Sequence, residues 1–89
     1  MNARGLYAIA DTACLAPERF AHAVEAVLAG GAVMVQYRDK SGDDTRRAHQ
    51  AQTLVALCRR YGATSIINDD PDLAATVEAD GVHVGRDDA

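Results

Sequence analysis

Four short apolar runs, each ending in polar or charged residues, alternate along this chain with segments whose apolar side chains recur at helical spacing. Few folds accept that alternation. Short runs rich in β-branched and aliphatic residues read as strands, and the stripes between them read as helices. The spacing predicts strands over about 6–11, 32–37, 64–67 and 81–85, and helices over about 17–29, 43–61 and 71–79. A β-α-β-α-β-α-β order demands right-handed crossovers and a parallel sheet, so the expected class is α/β. With 89 residues the chain has room for a single small domain, 1–89, and one modest core.

Local signals agree with this reading. Pro17 opens the first helix, with Glu18 in its first turn, where negative charge suits the helix dipole. Phe20, Val24, Val27 and Leu28 share one helical face, and Gly30-Gly31 closes the helix. Asp43 or Asp44 caps the second helix. Its apolar stripe is Ala51, Leu54, Val55, Cys58 and Tyr61, with Arg46, Arg47, Gln50 and Arg60 mostly outside it, and Gly62 stops it. The stretch Ile66-Ile67-Asn68-Asp69-Asp70-Pro71 reads as a buried strand running into a polar loop, with Asp70 as helix cap and Pro71 as first helical residue. Leu73 and Val77 then point inward. The Ala32 to Tyr37 run is almost continuously apolar, as expected of a strand with helices on one face and a core on the other.

Composition narrows the partners. A net charge of −4 argues against nucleic acid and anionic membranes as general partners, while leaving room for one local cationic site. Cys14 and Cys58 lack metal-ligand spacing and read as reduced core thiols. The N-terminus shows no charged region followed by an apolar run and a cleavage site, and no apolar stretch approaches the roughly 20 residues that cross a bilayer. A cytoplasmic protein is expected.

Three polar clusters carry the candidate chemistry. Gln36, Arg38 and Lys40 alternate on an extended segment, so period two puts them on one face, with Tyr37 and Asp39 on the other. A planar guanidinium and a mobile ammonium together suit a phosphate or pyrophosphate. The competing reading is a solvated strand end with Arg38 paired to a nearby acid. Asp69 and Asp88 are candidate Mg²⁺ ligands, because Mg²⁺ takes few carboxylates, keeps waters and completes its shell with phosphate oxygens. Asn68 is placed to hydrogen-bond the same ligand. Plain turn and capping chemistry competes for Asn68-Asp69-Asp70 and is preferred for Asp70, and a charged chain end competes for Arg86-Asp87-Asp88. His83 reads as a core or rim residue, and His22 and His49 as surface. No Ser-His-Asp or Cys-His grouping is present. Gly30-Gly31 closes a helix rather than opening one, so it is no dinucleotide fingerprint.

Taken in order, these clusters resemble the thiamine-phosphate synthase family. Its Gln-x-Arg-x-Lys pattern is matched by Gln36-Tyr37-Arg38-Asp39-Lys40, and its Ile-Asn-Asp pattern by Ile67-Asn68-Asp69. Its Asp-Gly-Val-His-x-Gly pattern, followed by an acidic pair, is matched by Asp80 to Gly85 and then Asp87-Asp88. Arg86 departs from the glutamine usual there. The resemblance implies a (β/α)₈ barrel, and since a full barrel takes roughly 200 residues or more, this chain is expected to resemble its first half.

The resemblance also implies a reaction, in which a pyrimidine-methyl pyrophosphate and a thiazole phosphate give thiamine phosphate and pyrophosphate. Pyrophosphate leaves first, and the thiazole nitrogen captures the pyrimidine cation. Gln36, Arg38, Lys40 and Asn68 would hold the pyrophosphate, and Asp69 and Asp88 the Mg²⁺. The expected partners are small phosphate substrates. Open edges at the first and last strands point to a homo-oligomer or a complementing second half-barrel. Alone, the chain is expected to be weakly active or inactive. Two alternatives stay open: a regulatory or thiazole-tautomerase relative of the same fold, and a non-catalytic pyrophosphate-binding or self-associating half-barrel.

Overall fold

Each apolar run forms a strand and each helical stripe carries the chain back to start the next strand alongside the last. The computed structural model describes residues 5–85. Strands β1 (Leu6–Asp11), β2 (Ala32–Arg38), β3 (Thr64–Asn68) and β4 (Gly81–His83) pair in parallel in the order β1-β2-β3-β4. Helices α1 (Phe20–Ala29), α2 (Asp44–Tyr61) and α3 (Pro71–Thr76) connect them. Right-handed crossovers that always step to the next position put every helix on one face of the sheet. A doubly wound sheet would instead reverse direction after its first strands and carry helices on both faces.

The caps explain most boundaries. Asp43, not Asp44, caps α2: its Oδ1 accepts from the Arg46 N–H at 3.0 Å. Asp70 caps α3 through the Leu73 N–H at 2.9 Å, with Pro71 as first helical residue. Gly62, at φ 72°, closes α2 in the left-handed conformation that only glycine adopts cheaply. Other boundaries shift. Pro17–Arg19 forms a separate 3₁₀ turn before α1, because Ala16 is extended and offers no side-chain cap. The third helix stops at Thr76, short of Ala79: Glu78 is left-handed (φ 58°) and the Ala79 N–H returns to the Ala74 carbonyl. β4 ends at His83, short of Gly85, because the Gly85 N–H turns away to the Asp69 carboxylate.

The core lies between the sheet and the helices. Ala10, Val35, Tyr37, Ser65 and Ile67 are buried on the strands, alternating with more exposed Ile9, Gln36, Arg38, Ile66 and Asn68. Phe20, Val24, Leu28, Ala51, Leu54, Val55, Leu57, Cys58 and Leu73 close over them from the helices. The Phe20 ring meets Tyr37 edge-to-face at 5.7 Å. The burial expected on both faces of the 32–37 strand is only partly met, since Met34 and Gln36 of β2 are half-buried. On β1, Tyr7 and Ile9 are 65% and 60% exposed, since all helices share one side and no described residue covers the other.

Four side chains depart from the periodicity reading. Tyr61, expected in the apolar stripe, is exposed at the end of α2 and donates its hydroxyl to Glu25 at 2.9 Å. Gln50, expected outside the stripe, is buried, because the Tyr37 hydroxyl supplies a polar partner inside. Val27 is only half-buried. Cys14 is exposed in the loop after β1 rather than a core thiol, whereas Cys58 is buried.

Two expectations follow. Leu54 is fully buried, so Leu54→Ala should cost about 2–5 kcal/mol in chemical denaturation, combining lost transfer energy with an unfilled cavity. Burial, with a smaller contribution from Asp80, pushes the Cys58 thiol up to about 11. At pH 8 in native buffer, a thiol reagent should label Cys14 quickly and Cys58 only on unfolding; mass mapping of the labelled peptides checks this.

Candidate functional site

The carboxyl ends of all four strands form one rim. Register aligns them: Asp11 pairs with Arg38, Tyr37 with Ile67, and Asn68 with His83. Arg38 and Asn68 each lie one residue beyond the Tyr37–Ile67 pair, so Asp11, Arg38, Asn68 and His83 end neighbouring strands at one level. This is the rim at which parallel α/β folds place their chemistry.

The end of β2 is held by a buried carboxylate. The Asp39 side chain is 0% exposed. Its Oδ1 accepts from Thr12 Oγ1 at 2.7 Å and from the Ser41 N–H at 2.9 Å. Its Oδ2 accepts from Ser41 Oγ at 3.0 Å and the Tyr37 hydroxyl at 3.3 Å. Tyr37 shares its proton with Gln50 Oε1 at 2.8 Å, and Arg47 stands 3.9 Å from Asp39 while gripping Asp70 at 2.8 Å. The β1 loop, the end of β2, helix α2 and the cap of α3 thus meet around one carboxylate. Burial alone would raise the Asp39 pKa. The bonds from Thr12, Ser41 and Tyr37 together outweigh it and hold the carboxyl below its ordinary value. Burial, reinforced by the Asp39 charge, raises the Tyr37 phenol well above its ordinary range and keeps it a donor.

With Asp39 turned inward, its neighbours turn out. Arg38 and Lys40 line a recess of about 420 Å³ with Asp11, Thr12, Ala13, Ser41 and Arg46, and Asp39 forms part of its wall. Arg38 lies 3.9 Å from Asp11, too long and too exposed to tie the guanidinium down. Gln36 is half-buried on the uncovered face of the sheet, on the same side as Arg38, but does not line the recess. Asn68 and Asp69 also lie outside it, at the ends of β3 and β4. The Asn68 Oδ1 is 3.4 Å from His83 Nδ1, and His83 is exposed at the rim. The structure therefore splits the expected set into a cationic recess between β1 and β2 and a polar group at β3 and β4. Asp88, with Arg86 and Asp87, lies outside the described residues.

Asp69 carries the question of the metal. It sits at φ 61°, a left-handed conformation that aspartate tolerates better than most residues. Its N–H donates to the His83 carbonyl at 2.7 Å, and its Oδ1 accepts from the Gly85 N–H at 2.9 Å. The carboxylate is thereby fixed yet exposed, with lone pairs left over on both oxygens. Among the described residues no group of three or more His, Cys, Asp or Glu side chains could cage a metal. One fixed carboxylate fits a cation such as Mg²⁺ that keeps waters and borrows phosphate oxygens.

The family model for thiamine monophosphate synthase matches residues 6–89. The chain belongs to that family. It is 52% identical over 86 residues to a thiamine-phosphate synthase of Nitrosococcus oceani, covering 97% of this chain and 40% of the relative. It is 52% identical over 84 residues to one of Alcanivorax borkumensis, covering 94% and 39%. It is 61% identical over 72 residues to one of Thiobacillus denitrificans, covering 81% and 34%. The chain thus spans at most two fifths of the length of these curated relatives. A solved thiamine phosphate pyrophosphorylase from Pyrococcus furiosus matches with a TM-score of 0.75 and 36% identity, over 85% of this chain and 36% of that one. The βαβαβαβ unit accordingly resembles the first half of a (β/α)₈ barrel.

The periodicity reading missed two residues of this site. Nothing in the periodicity singles out Thr12, and Arg46 stands out only as lying outside the apolar stripe of α2. A signal existed for the second: Arg46 and Arg47 stand in the first turn of α2, where positive charge opposes the helix dipole.

Asp39→Asn should destabilise the chain by about 1–3 kcal/mol at neutral pH, because an amide NH₂ would face donors. A carboxyl with a depressed folded pKa stabilises above its unfolded value, here ordinarily 3.8, and loses that contribution as pH falls through the folded value. The gap between the two proteins in denaturant melts should therefore close in acid, below about pH 4.

Proposed function

We propose that this chain supplies the pyrophosphate-holding part of a thiamine-phosphate synthase. That enzyme would join a pyrimidine-methyl pyrophosphate to a thiazole phosphate, giving thiamine phosphate and pyrophosphate. The observation that carries the reading is the recess lined by Arg38 and Lys40, beside a rim on which Asp69 is fixed but exposed. The names of the relatives favour the synthase over a tautomerase relative.

The chemistry asks for what this rim offers. The bond between the pyrimidine methylene and the pyrophosphate oxygen breaks, and its electron pair leaves with pyrophosphate. The thiazole nitrogen then gives its lone pair to the methylene carbon, forming the new C–N bond. Negative charge builds on the leaving oxygens, so donors fixed in advance lower the barrier. Arg38 and Lys40 would grip those oxygens, and Gln36 and Asn68 would donate amide N–H groups. Asp69, with Asp88, would hold Mg²⁺, which supplies further charge neutralisation when bound. Because the chain spans at most two fifths of its relatives, its residues are assigned only to the leaving group, and turnover by the chain alone would be weak or nil.

Calorimetric titration of inorganic pyrophosphate, with and without Mg²⁺, tests this. Mg²⁺-dependent binding is expected. Asp69→Asn, which tolerates the left-handed backbone and keeps an acceptor for Gly85, should abolish the Mg²⁺ dependence. Arg38→Ala should weaken binding roughly ten- to a hundredfold. Affinity indifferent to Mg²⁺ and to Arg38 would refute the proposal.

A further inference from the structure

The recess holds a third cation that neither the motif nor the assigned roles include. Arg46 projects from the first turn of α2 and lines the recess with Arg38 and Lys40. Its Nε is buried and has no hydrogen-bond partner among the described residues, as holds also for Arg47 Nε, so the distinction between the two lies in their ion pairs. Neither Arg46 nor Lys40 enters an ion pair among those residues, whereas the adjacent Arg47 is spent on Asp70 and Asp39. A buried, unpartnered N–H is costly, and a guanidinium at a helix N-terminus also opposes the dipole. An anion met by the terminal N–H groups of Arg46 would offset the dipole cost.

The acids nearby do not cancel this charge. Asp39 is turned inward, with both oxygens occupied by Thr12, Ser41 and Tyr37 and Arg47 at its side. Asp11 is occupied by the Ala13 N–H at 2.9 Å and lies 3.9 Å from Arg38. Three cations therefore line a space of about 420 Å³ with two acids, Asp39 buried and already paired and Asp11 half-buried.

We propose that Arg46 is a further binding residue for the pyrophosphate group, holding its oxygens from the α2 side while Arg38 and Lys40 hold them from the end of β2. This rests on the pyrophosphate reading above. A guanidinium presents several N–H donors in a fixed fork, so Arg46 can donate to two phosphate oxygens together. The recess then grips a doubly phosphorylated group more firmly than a single phosphate.

The test is titration of inorganic pyrophosphate with Mg²⁺, and separately of inorganic phosphate, into the unsubstituted chain, Arg46→Ala, Arg46→Lys and Arg60→Ala. Arg60 lies at the far end of α2, roughly 20 Å along the helix, and controls for general charge. Circular dichroism melts confirm that each variant folds. Arg46→Ala is expected to weaken pyrophosphate binding roughly tenfold or more, Arg46→Lys to recover part of that loss, and Arg60→Ala to change it less than twofold. Phosphate affinity should respond less than pyrophosphate affinity. If the unsubstituted chain binds pyrophosphate and Arg46→Ala binds it equally well, or falls no further than Arg60→Ala, the assignment of Arg46 is wrong while the pyrophosphate reading stands. If the unsubstituted chain binds no pyrophosphate, both fall together.

Discussion

A carboxylate removed from water must recover its lost hydration from the protein, and at the end of β2 Asp39 does so completely. Thr12, Ser41 and Tyr37 donate to it, and Arg47 stands beside it and reaches on to Asp70. Losing any one partner would leave a buried charge short of a donor, so the partners hold one another in place. The loop after β1, the loop after β2, helix α2 and the cap of α3 are tied to a single point, and the rim inherits its rigidity from it.

The same point orients the candidate chemistry. In an extended chain successive side chains face opposite ways, so committing Asp39 to the interior commits Arg38 and Lys40 to the outside. Charge is sorted in the same stroke: the acid is buried and neutralised, the bases are left exposed, and Arg46 joins them from the facing helix. A chain with a net charge of −4 thereby presents a local cationic recess. Asp69 is fixed by a separate device, a left-handed backbone locked by the His83 carbonyl and the Gly85 N–H. Two supports, one at β1 and β2 and one at β3 and β4, carry the two parts of the rim, and Arg47 links them through Asp39 and Asp70.

Much of this was legible in residue order. Asp70-Pro71, Gly62 and the acids before α2 mark helix ends through chemistry that acts within four residues, so those boundaries could be read locally. Gln36, Arg38 and Lys40 share a face because strand period is two. Errors arose where a distant partner decided the outcome. Gln50 is buried because Tyr37 lies across from it, Tyr61 is exposed because Glu25 on α1 holds its hydroxyl, and β4 is short because Asp69 captures Gly85. Arg46 reads as lying outside the apolar stripe, and its place against the helix dipole hints at a role, but nothing in its own helix shows that the end of β2 lies opposite.

The sequence by itself determined the element order, the parallel α/β class and the polar residues that close each strand, because periodicity, caps and turns are local physical preferences. Only the tertiary structure decided the strand order β1-β2-β3-β4, the placement of every helix on one face, and the exposure of Tyr7 and Ile9 on the other. It alone also decided that Arg38, Lys40 and Arg46 share one recess while Asn68 and Asp69 stand on the next strand ends. Those outcomes depend on which strands lie side by side, and that is settled by long-range packing and register, which no short stretch of chain encodes.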